Sequence, residues 1–290
     1  ECNLAKVEVA GSNPVSRSTN YFQAKPSLAF FLSMPKNNRQ LPFSPQAGID
    51  ELLEQVKARY PVHFEPVTIG DIRLHILQIR DMEAYIENLA AAARNDEGLE
   101  LPFWAKIWPT SILLSHILAS SHDLNSLEIL EIGAGVGVCG LVAASQGALV
   151  VMTDYHPDAL LFARINVLQN SLQDRVELAS VDFTTNLMDH RFDRIIGSEV
   201  LYREESYTPL VDFLENHLVS GGEVLLAKSH IFQASGFFEL IENRFAVQER
   251  TLGYKEQNPE SGKPERHLCN ILRMKRMKDI NTHQNRPEQI

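Results

Sequence analysis

Leu127-Glu128-Ile129-Leu130-Glu131-Ile132-Gly133-Ala134-Gly135-Val136-Gly137 is the stretch that decides the fold. Leu127, Ile129, Leu130 and Ile132 make a short apolar run suited to a buried strand. Glycines follow at once at three alternate positions. Without a Cβ, the backbone there can turn sharply and approach a ligand closely. Val138, Leu141 and Val142 then mark one face of a helix that Gly147 closes. Strand, glycine turn and helix in direct succession are the opening of a nucleotide-binding βα unit.

Downstream the same alternation repeats. Residues 149–153 read as a second strand. A helix opens at Pro157, a favoured first helical position, and buries Leu160, Ala163 and Val167. Residues 176–181 and 192–197 are the third and fourth strands. Thr208-Pro209 caps a helix through Leu218, with Gly221-Gly222 beyond it and a fifth strand over 223–227. Strict strand–helix alternation predicts a parallel sheet with right-handed crossovers. After a helix near 237–242 the pattern changes. Residues 245–251 and 267–274 read as strands flanking a turn-rich loop over 253–266, an antiparallel pair at the sheet edge. The polar residues after Lys275 are expected to fray.

Upstream, Leu52, Leu53 and Val56 suggest a short helix over 49–59. Two alternating runs, 62–69 and 72–79, meet at Gly70-Asp71 as a β-hairpin. A helix over 82–93 follows. The expected organisation is an N-terminal αβ appendage over 47–120, a core over 121–277 and a polar tail over 278–290. Residues 1–46 are rich in Ser, Asn and Pro and show no period. They read either as a disordered extension or as a mis-called reading frame upstream of a start at Met34. The second reading rests on Gly11-Ser12-Asn13-Pro14, which a tRNA T-arm would encode, and on a chain that begins at Glu1.

The composition narrows the function. The chain has 290 residues, 44% hydrophobic and 22% charged, with a formal net charge of −10. Such an acidic surface repels phosphate backbones, so nucleic acid is not an expected partner. No apolar run reaches the roughly 20 residues of a membrane span. Cys2, Cys139 and Cys269 lie far apart and form no Cys-x-x-Cys pair, so neither a disulfide framework nor a zinc site is expected. Cys139 reads as a small buried filler. The histidines show no metal-ligand spacing. A cytoplasmic, reducing setting fits this cysteine usage.

Acids follow the strands at intervals that carry chemistry. Glu131 stands two residues before Gly133, where a carboxylate can hold the ammonium of a methionine moiety. Asp154 ends the second strand and can accept from both hydroxyls of a ribose, with Tyr155 next to it. Asp182 ends the third strand and can accept from the adenine amino group, with the Phe183 ring flanking the base. Each acid alone also reads as a turn or cap residue. Together with Gly133, Ala134, Gly135 and Gly137 they favour S-adenosylmethionine as cofactor. Gly135-x-Gly137-x-x-Gly140 matches the dinucleotide pattern as well, so an NAD-dependent oxidoreductase is the competing reading. That reading gives Asp182 no role and sets the tight turn two residues late.

The fourth strand ends in Ser198-Glu199-Val200-Leu201-Tyr202, and Phe103-Trp104-Ala105-Lys106-Ile107-Trp108-Pro109 lies upstream. Glu-x-x-Tyr here resembles the Asp/Glu-x-x-Tyr/Phe signature of the seven-β-strand, class I protein-lysine methyltransferases. Trp-Ala-x-x-Trp-Pro resembles the branch acting on the electron-transfer-flavoprotein β-subunit. The resemblance spans about residues 62–274. It implies a Rossmann-like seven-stranded sheet of order 3-2-1-4-5-7-6 with the last strand antiparallel. It also implies a protein lysine as methyl acceptor, Trp108 and Ser198 beside the cofactor, and Glu199 and Tyr202 as catalytic residues at the lysine channel. A small-molecule amine is the alternative acceptor, because family membership does not fix it. A non-catalytic protein that keeps the fold is a third reading. The Asn-Pro-Pro-aromatic segment of adenine- and glutamine-directed enzymes is absent. Core packing is the competing role for Trp104 and Trp108.

Overall fold

Runs of Val, Ile and Leu covered on both faces form the central strands, as buried parallel sheets require. In the computed structural model, which describes residues 41–92, 101–257 and 264–284, these are β3 (Glu128–Ile132), β4 (Leu149–Asp154), β5 (Val176–Ser180), β6 (Phe192–Ser198) and β7 (Leu218–Ser229). β8 (Phe245–Gln257) and β9 (Pro264–Arg276) complete a seven-stranded sheet of order β5-β4-β3-β6-β7-β9-β8. β3 to β7 are parallel, and β9 runs antiparallel to both of its neighbours. In sheet order this is the expected 3-2-1-4-5-7-6.

Three layers bury the sheet. Ile129, Val150, Met152, Ile196 and Leu225 face α4 (Val138–Ser145) and α5 (Pro157–Gln169) in one cluster. Leu130, Val151, Ile195, Val224 and Leu226 face α6 (Tyr207–His217) and α7 (Ser235–Ile241) in the other. The N-terminal elements join the first cluster through Leu52, Val56, Ile69, Leu77 and Leu114. They are α1 (Ile49–Lys57), the hairpin β1 (Val62–Ile69) and β2 (Ile72–Ile79), α2 (Met82–Ala92) and α3 (Pro109–Ser120). The hairpin register is the expected one, Ile69 against Ile72.

Side-chain amides dock the hairpin. Asn170, just past the end of α5, donates to the His75 carbonyl and accepts from the His75 N–H, both at 2.9 Å. Asn166, one turn earlier, accepts from the Leu77 N–H at 2.7 Å and donates to the Val136 carbonyl at 2.9 Å. Two amides spaced i, i+4 thus satisfy alternate backbone groups of β2 as a neighbouring strand would.

Several expected boundaries move, each for a physical reason. Residues 1–40 lie outside the described residues, but within 41–46 Leu41 and Phe43 pack against the core. Phe43 is buried, and Arg164 donates to the Pro45 carbonyl at 3.1 Å. α4 is buried on all sides, from Val138 through Ala144, not on one face, because it sits between the sheet, α3 and the hairpin. Gly221-Gly222 do not precede the fifth strand. β7 starts at Leu218, and the register jumps from Phe192↔Leu218 to Arg194↔Glu223. Gly221, at φ +77°, absorbs the irregularity. The loop expected over 253–266 is mostly ladder, with Gly253 paired to Leu268 and Gln257 to Pro264. Its tip, 258–263, lies outside the described residues, as does Ala93.

The polar segment after Lys275 forms α8 (Met277–Gln284) and does not fray over that length. Asp279 accepts from Ser220 Oγ at 2.9 Å, the Gly221 N–H at 3.1 Å and Arg276 Nε at 2.9 Å. The buried Arg276 side chain also donates to the carbonyls of Glu215 and Val219. Residues 285–290 are outside the described range.

Candidate active site

The glycine turn is built by what presses on it. Gly133, Gly135 and Gly137 have φ of +59°, +54° and +83°, a region costly for residues with a Cβ. The Ala134 N–H donates to the Thr153 carbonyl at 2.9 Å and the Gly137 N–H to the Ala134 carbonyl at 2.8 Å, which close the turn. The Gly135 N–H donates to Asp154 Oδ2 at 2.9 Å. Asp154 Oδ1 accepts from the His156 N–H at 2.9 Å. Asp154 is buried at the end of β4. Burial pushes its carboxyl pKa up, against the pull of those N–H donors.

Glu131 is the supporting acid beneath the turn. It is 3% exposed, and its Oε2 accepts from the Gly140 N–H at 3.0 Å. Burial pushes its carboxyl up to about 8, with Asp154 adding to the rise and the Gly140 N–H opposing it. A side chain on Gly140 would strike that same carboxyl oxygen. The third glycine of the dinucleotide-like pattern is therefore explained by Glu131.

The segment over 103–108 covers the turn. Trp104 stacks on His156 with centroids 4.9 Å apart and meets Phe162 edge-on at 5.0 Å. Tyr60 joins this group at 5.8 Å from Trp104, and its hydroxyl donates to Asp158 Oδ2 at 2.5 Å. Trp108 is half-buried. Its Nε1 donates to the Phe103 carbonyl at 3.1 Å, and Lys106 Nζ lies 4.8 Å from its ring. Trp104 thus packs among rings as a core residue would. Tyr155 is exposed next to Asp154, with its ring edge-on to His156 at 6.3 Å.

Asp182 and Phe183 stand past β5. Asp182 Oδ1 accepts from the Thr184 N–H at 2.8 Å and the Thr184 hydroxyl at 2.6 Å, so this oxygen caps its own turn. The Phe183 ring is half-buried against the second cluster, 6.4 Å from Phe213. At the end of β6, Glu199 has φ +55°, rare for a residue with a Cβ, and its N–H donates to the Ala227 carbonyl at 2.9 Å. The turn places Val200 against Gly133. Burial pushes the Glu199 pKa up, opposed by the Thr110 hydroxyl, the Ser229 backbone and nearby Lys228. Ser198 Oγ donates to Thr110 Oγ1 at 2.9 Å. Tyr202 is 53% exposed beyond the turn, with the Arg203 guanidinium 5.7 Å from its ring.

A family model described as lysine methyltransferase matches residues 94–244, just over half of the chain. The chain belongs to the lysine methyltransferase family. Among its relatives, the zebrafish (Danio rerio) protein N-lysine methyltransferase METTL21A is 35% identical over 154 residues, 50% of this chain and 70% of the relative. The histidine protein methyltransferase 1 homolog of Dictyostelium discoideum is 31% identical over 156 residues, 49% of this chain and 50% of the relative. The chain is also similar to the ribosomal protein L11 methylase structure from Lactobacillus delbrueckii subsp. bulgaricus. That match has 18% identity and a TM-score of 0.48, and covers 73% of this chain and 99% of that one.

By its family this chain is a methyltransferase, and S-adenosylmethionine is the cofactor expected for it from sequence. The donor set fits that cofactor. Asp154 accepts the Gly135 N–H on one oxygen and the His156 N–H on the other, the acid expected from sequence to take ribose hydroxyls. Glu131 is an acid whose ionisation a cationic ammonium would favour. Of the residues expected from sequence, the structure gathers Glu131, Ala134, Gly135, Gly137 and Asp154 in one hydrogen-bonded unit around Gly133. It sets Ser198 against Thr110, which sequence reasoning passed over. The only signal for Thr110 was its place directly after Trp108-Pro109, where the helix opens. Asn166, His156 and Tyr60 were likewise missed, because amide, imidazole and phenol on an ordinary helix or loop carry no pattern. Cys139 is a buried thiol, its Sγ donating to the Ser111 carbonyl at 3.4 Å.

Proposed function

We propose that the chain transfers a methyl group to a lysine side chain of a protein, in a cytoplasmic setting. The observation that carries this reading is the turn after β6. There Glu199 holds a left-handed conformation, its backbone N–H is tied to the Ala227 carbonyl, and an exposed tyrosine follows it. Backbone outliers of this kind persist where the surroundings over-determine them, and they cluster at functional sites. The thiols of Cys139 and Cys269 support the reducing compartment.

S-adenosylmethionine, when bound, supplies an electrophilic methyl on a sulfonium sulfur. In this reading Asp154 accepts from the ribose hydroxyls. Glu131 faces the ammonium through the turn, and the backbone of Gly133, Ala134, Gly135 and Gly137 shapes the pocket floor. Tyr155, Trp108, Asp182, Phe183 and Ser198 border the cofactor's remaining groups. Tyr202 rims the channel that admits the acceptor. A free lysine has a pKa of about 10.4 and reacts only as the neutral amine. It loses its proton to water on entry. Glu199 then accepts an N–H from the amine and leaves the nitrogen lone pair free to attack. Positioning two reactants in this way supplies most of the acceleration.

The test is incubation with methyl-tritiated S-adenosylmethionine and a desalted cell lysate, followed by hydrolysis and separation of methylated amino acids. Label in methyl-lysine, lost in Glu199→Gln, supports the proposal. Label in methylhistidine would reassign the acceptor. Label confined to added small amines would move the enzyme to metabolite substrates.

A further inference from the structure

We propose that Trp104 is a positioning residue for Asp154, acting through its stack on His156 and its backbone contact with Gly135; this rests on the reading of Asp154 as the acid that takes the ribose hydroxyls. Asp154 Oδ2 accepts from the Gly135 N–H and Oδ1 from the His156 N–H, each at 2.9 Å. Those two donors belong to different segments, the glycine turn after β3 and the loop that opens α5. Trp104 touches both. Its carbonyl oxygen lies 2.6 Å from where a Cβ on Gly135 would stand. Its indole lies on the His156 imidazole, with centroids 4.9 Å apart and planes 22° from parallel.

The imidazole is held at its edge as well as on its face. His156 is the N-cap of α5, and its Nδ1 accepts from the Asp158 N–H at 3.1 Å. Bond and stack together fix the ring, and with it the backbone that carries the N–H to Asp154. The indole is braced in turn by other rings. Phe162 meets it edge-on at 5.0 Å and Tyr60 at 5.8 Å. The Tyr60 hydroxyl donates to Asp158 Oδ2 at 2.5 Å, and Arg59 pairs with Oδ1. Trp104, Tyr60, Asp158 and His156 thus close a circuit of contacts between the N-terminal appendage and the start of α5.

Core packing accounts for the contacts of Trp104 with Phe162 and Tyr60. It does not require one residue to lie against both backbone donors of a single carboxylate. A carboxylate aimed in advance spends no binding free energy on being ordered when the ligand arrives.

Calorimetric titration of the full chain with S-adenosylhomocysteine and with its 2′,3′-dideoxy analogue isolates the affinity that the ribose hydroxyls carry. Wild type is expected to prefer the hydroxylated ligand by about tenfold or more, and Asp154→Ala to lose that preference. Trp104→Leu removes the stack. His156→Asn removes the ring but keeps an oxygen that caps α5. Each is expected to cut the preference to about threefold or less, by weakening S-adenosylhomocysteine while the dideoxy analogue binds as before. The double variant should lose no more than either single one, since both break the same contact. Trp104→Phe keeps an aromatic face and should recover most of the preference. Equal weakening of both ligands in Trp104→Leu would make Trp104 a packing residue only and overturn the inference. An undiminished preference in His156→Asn would overturn it too, even if Trp104→Leu does not fold. A wild-type preference retained in Asp154→Ala, or none in wild type, would instead sink the ribose role of Asp154.

Discussion

The carbonyl oxygen of Trp104 lies 2.6 Å from where a Cβ on Gly135 would stand. The upstream tryptophan segment and the glycine turn are thus fitted against each other at the backbone, and neither can thicken without moving the other. Gly135 also donates its N–H to Asp154, so displacement of this one residue would break one of the hydrogen bonds between β4 and the turn.

Gly135→Ala meets both obstacles at once, the clash with Trp104 and a φ of +54°. The left-handed backbone alone costs about 1–2 kcal/mol for a residue with a Cβ. The variant is expected to melt several degrees lower and to lose S-adenosylhomocysteine binding by more than about tenfold in calorimetry. Wild-type affinity in this variant would show that the contact is not rigid.

Asn166→Leu removes the amide that serves the Leu77 N–H and the Val136 carbonyl. Asn166 is fully buried, so both backbone groups would be stranded, at a cost of about 1–3 kcal/mol each. Denaturant unfolding should show a loss of about 2–5 kcal/mol, larger than for the less buried Asn170→Ala, with looser cofactor binding through Val136.

Glu131 gives stability a pH slope of defined sign. Its carboxyl ionises at about 8 in the folded chain and near 4.5 when freely solvated, so the folded state binds the extra proton between those values. Its contribution is unpenalised below about 4.5 and becomes unfavourable as pH rises toward 8, by a few kcal/mol in all. Glu131→Gln should flatten this slope in unfolding experiments at pH 5 and pH 8. A cationic ammonium at the site would lower the carboxyl pKa again. Binding of S-adenosylhomocysteine near pH 7 should then release a proton, seen as a dependence of the calorimetric heat on buffer ionisation enthalpy.

Tyr202→Ala tests the acceptor channel without touching the core. The side chain is exposed, so the melting temperature should hold and stability should change by no more than about 0.5 kcal/mol. Methyl transfer to protein acceptors should nevertheless fall while S-adenosylhomocysteine affinity holds. A parallel loss of cofactor binding would place Tyr202 on the wrong side of the site.

The central strands and the glycine turn were legible in sequence because each is a local pattern, whereas the strand order followed from the family resemblance. Apolar runs such as Leu130 to Ile132 depend only on burial, and alternate glycines mark positive φ whatever surrounds them. The hairpin was legible for the same reason, from alternation and Gly70. Packing hid the rest. Phe43 and Arg276 lie in polar stretches, and only tertiary partners explain their burial. The lengths of β8 and β9 exceed expectation because cross-strand pairing carries Gly253 and Pro264, which propensity alone would leave in a loop.

The same division holds at the site. The sequence by itself determined the family, the cofactor class and the acids Glu131, Asp154 and Glu199, since these depend on residue type at a fixed distance along one chain. Only the tertiary structure decided what surrounds those acids. Folding brought Gly140 onto Glu131, Gly135 onto Asp154, and Thr110 onto Ser198 next to Glu199. The charge and direction of a carboxylate are set by burial and donors within a few ångströms, and those neighbours come from segments far apart in the chain.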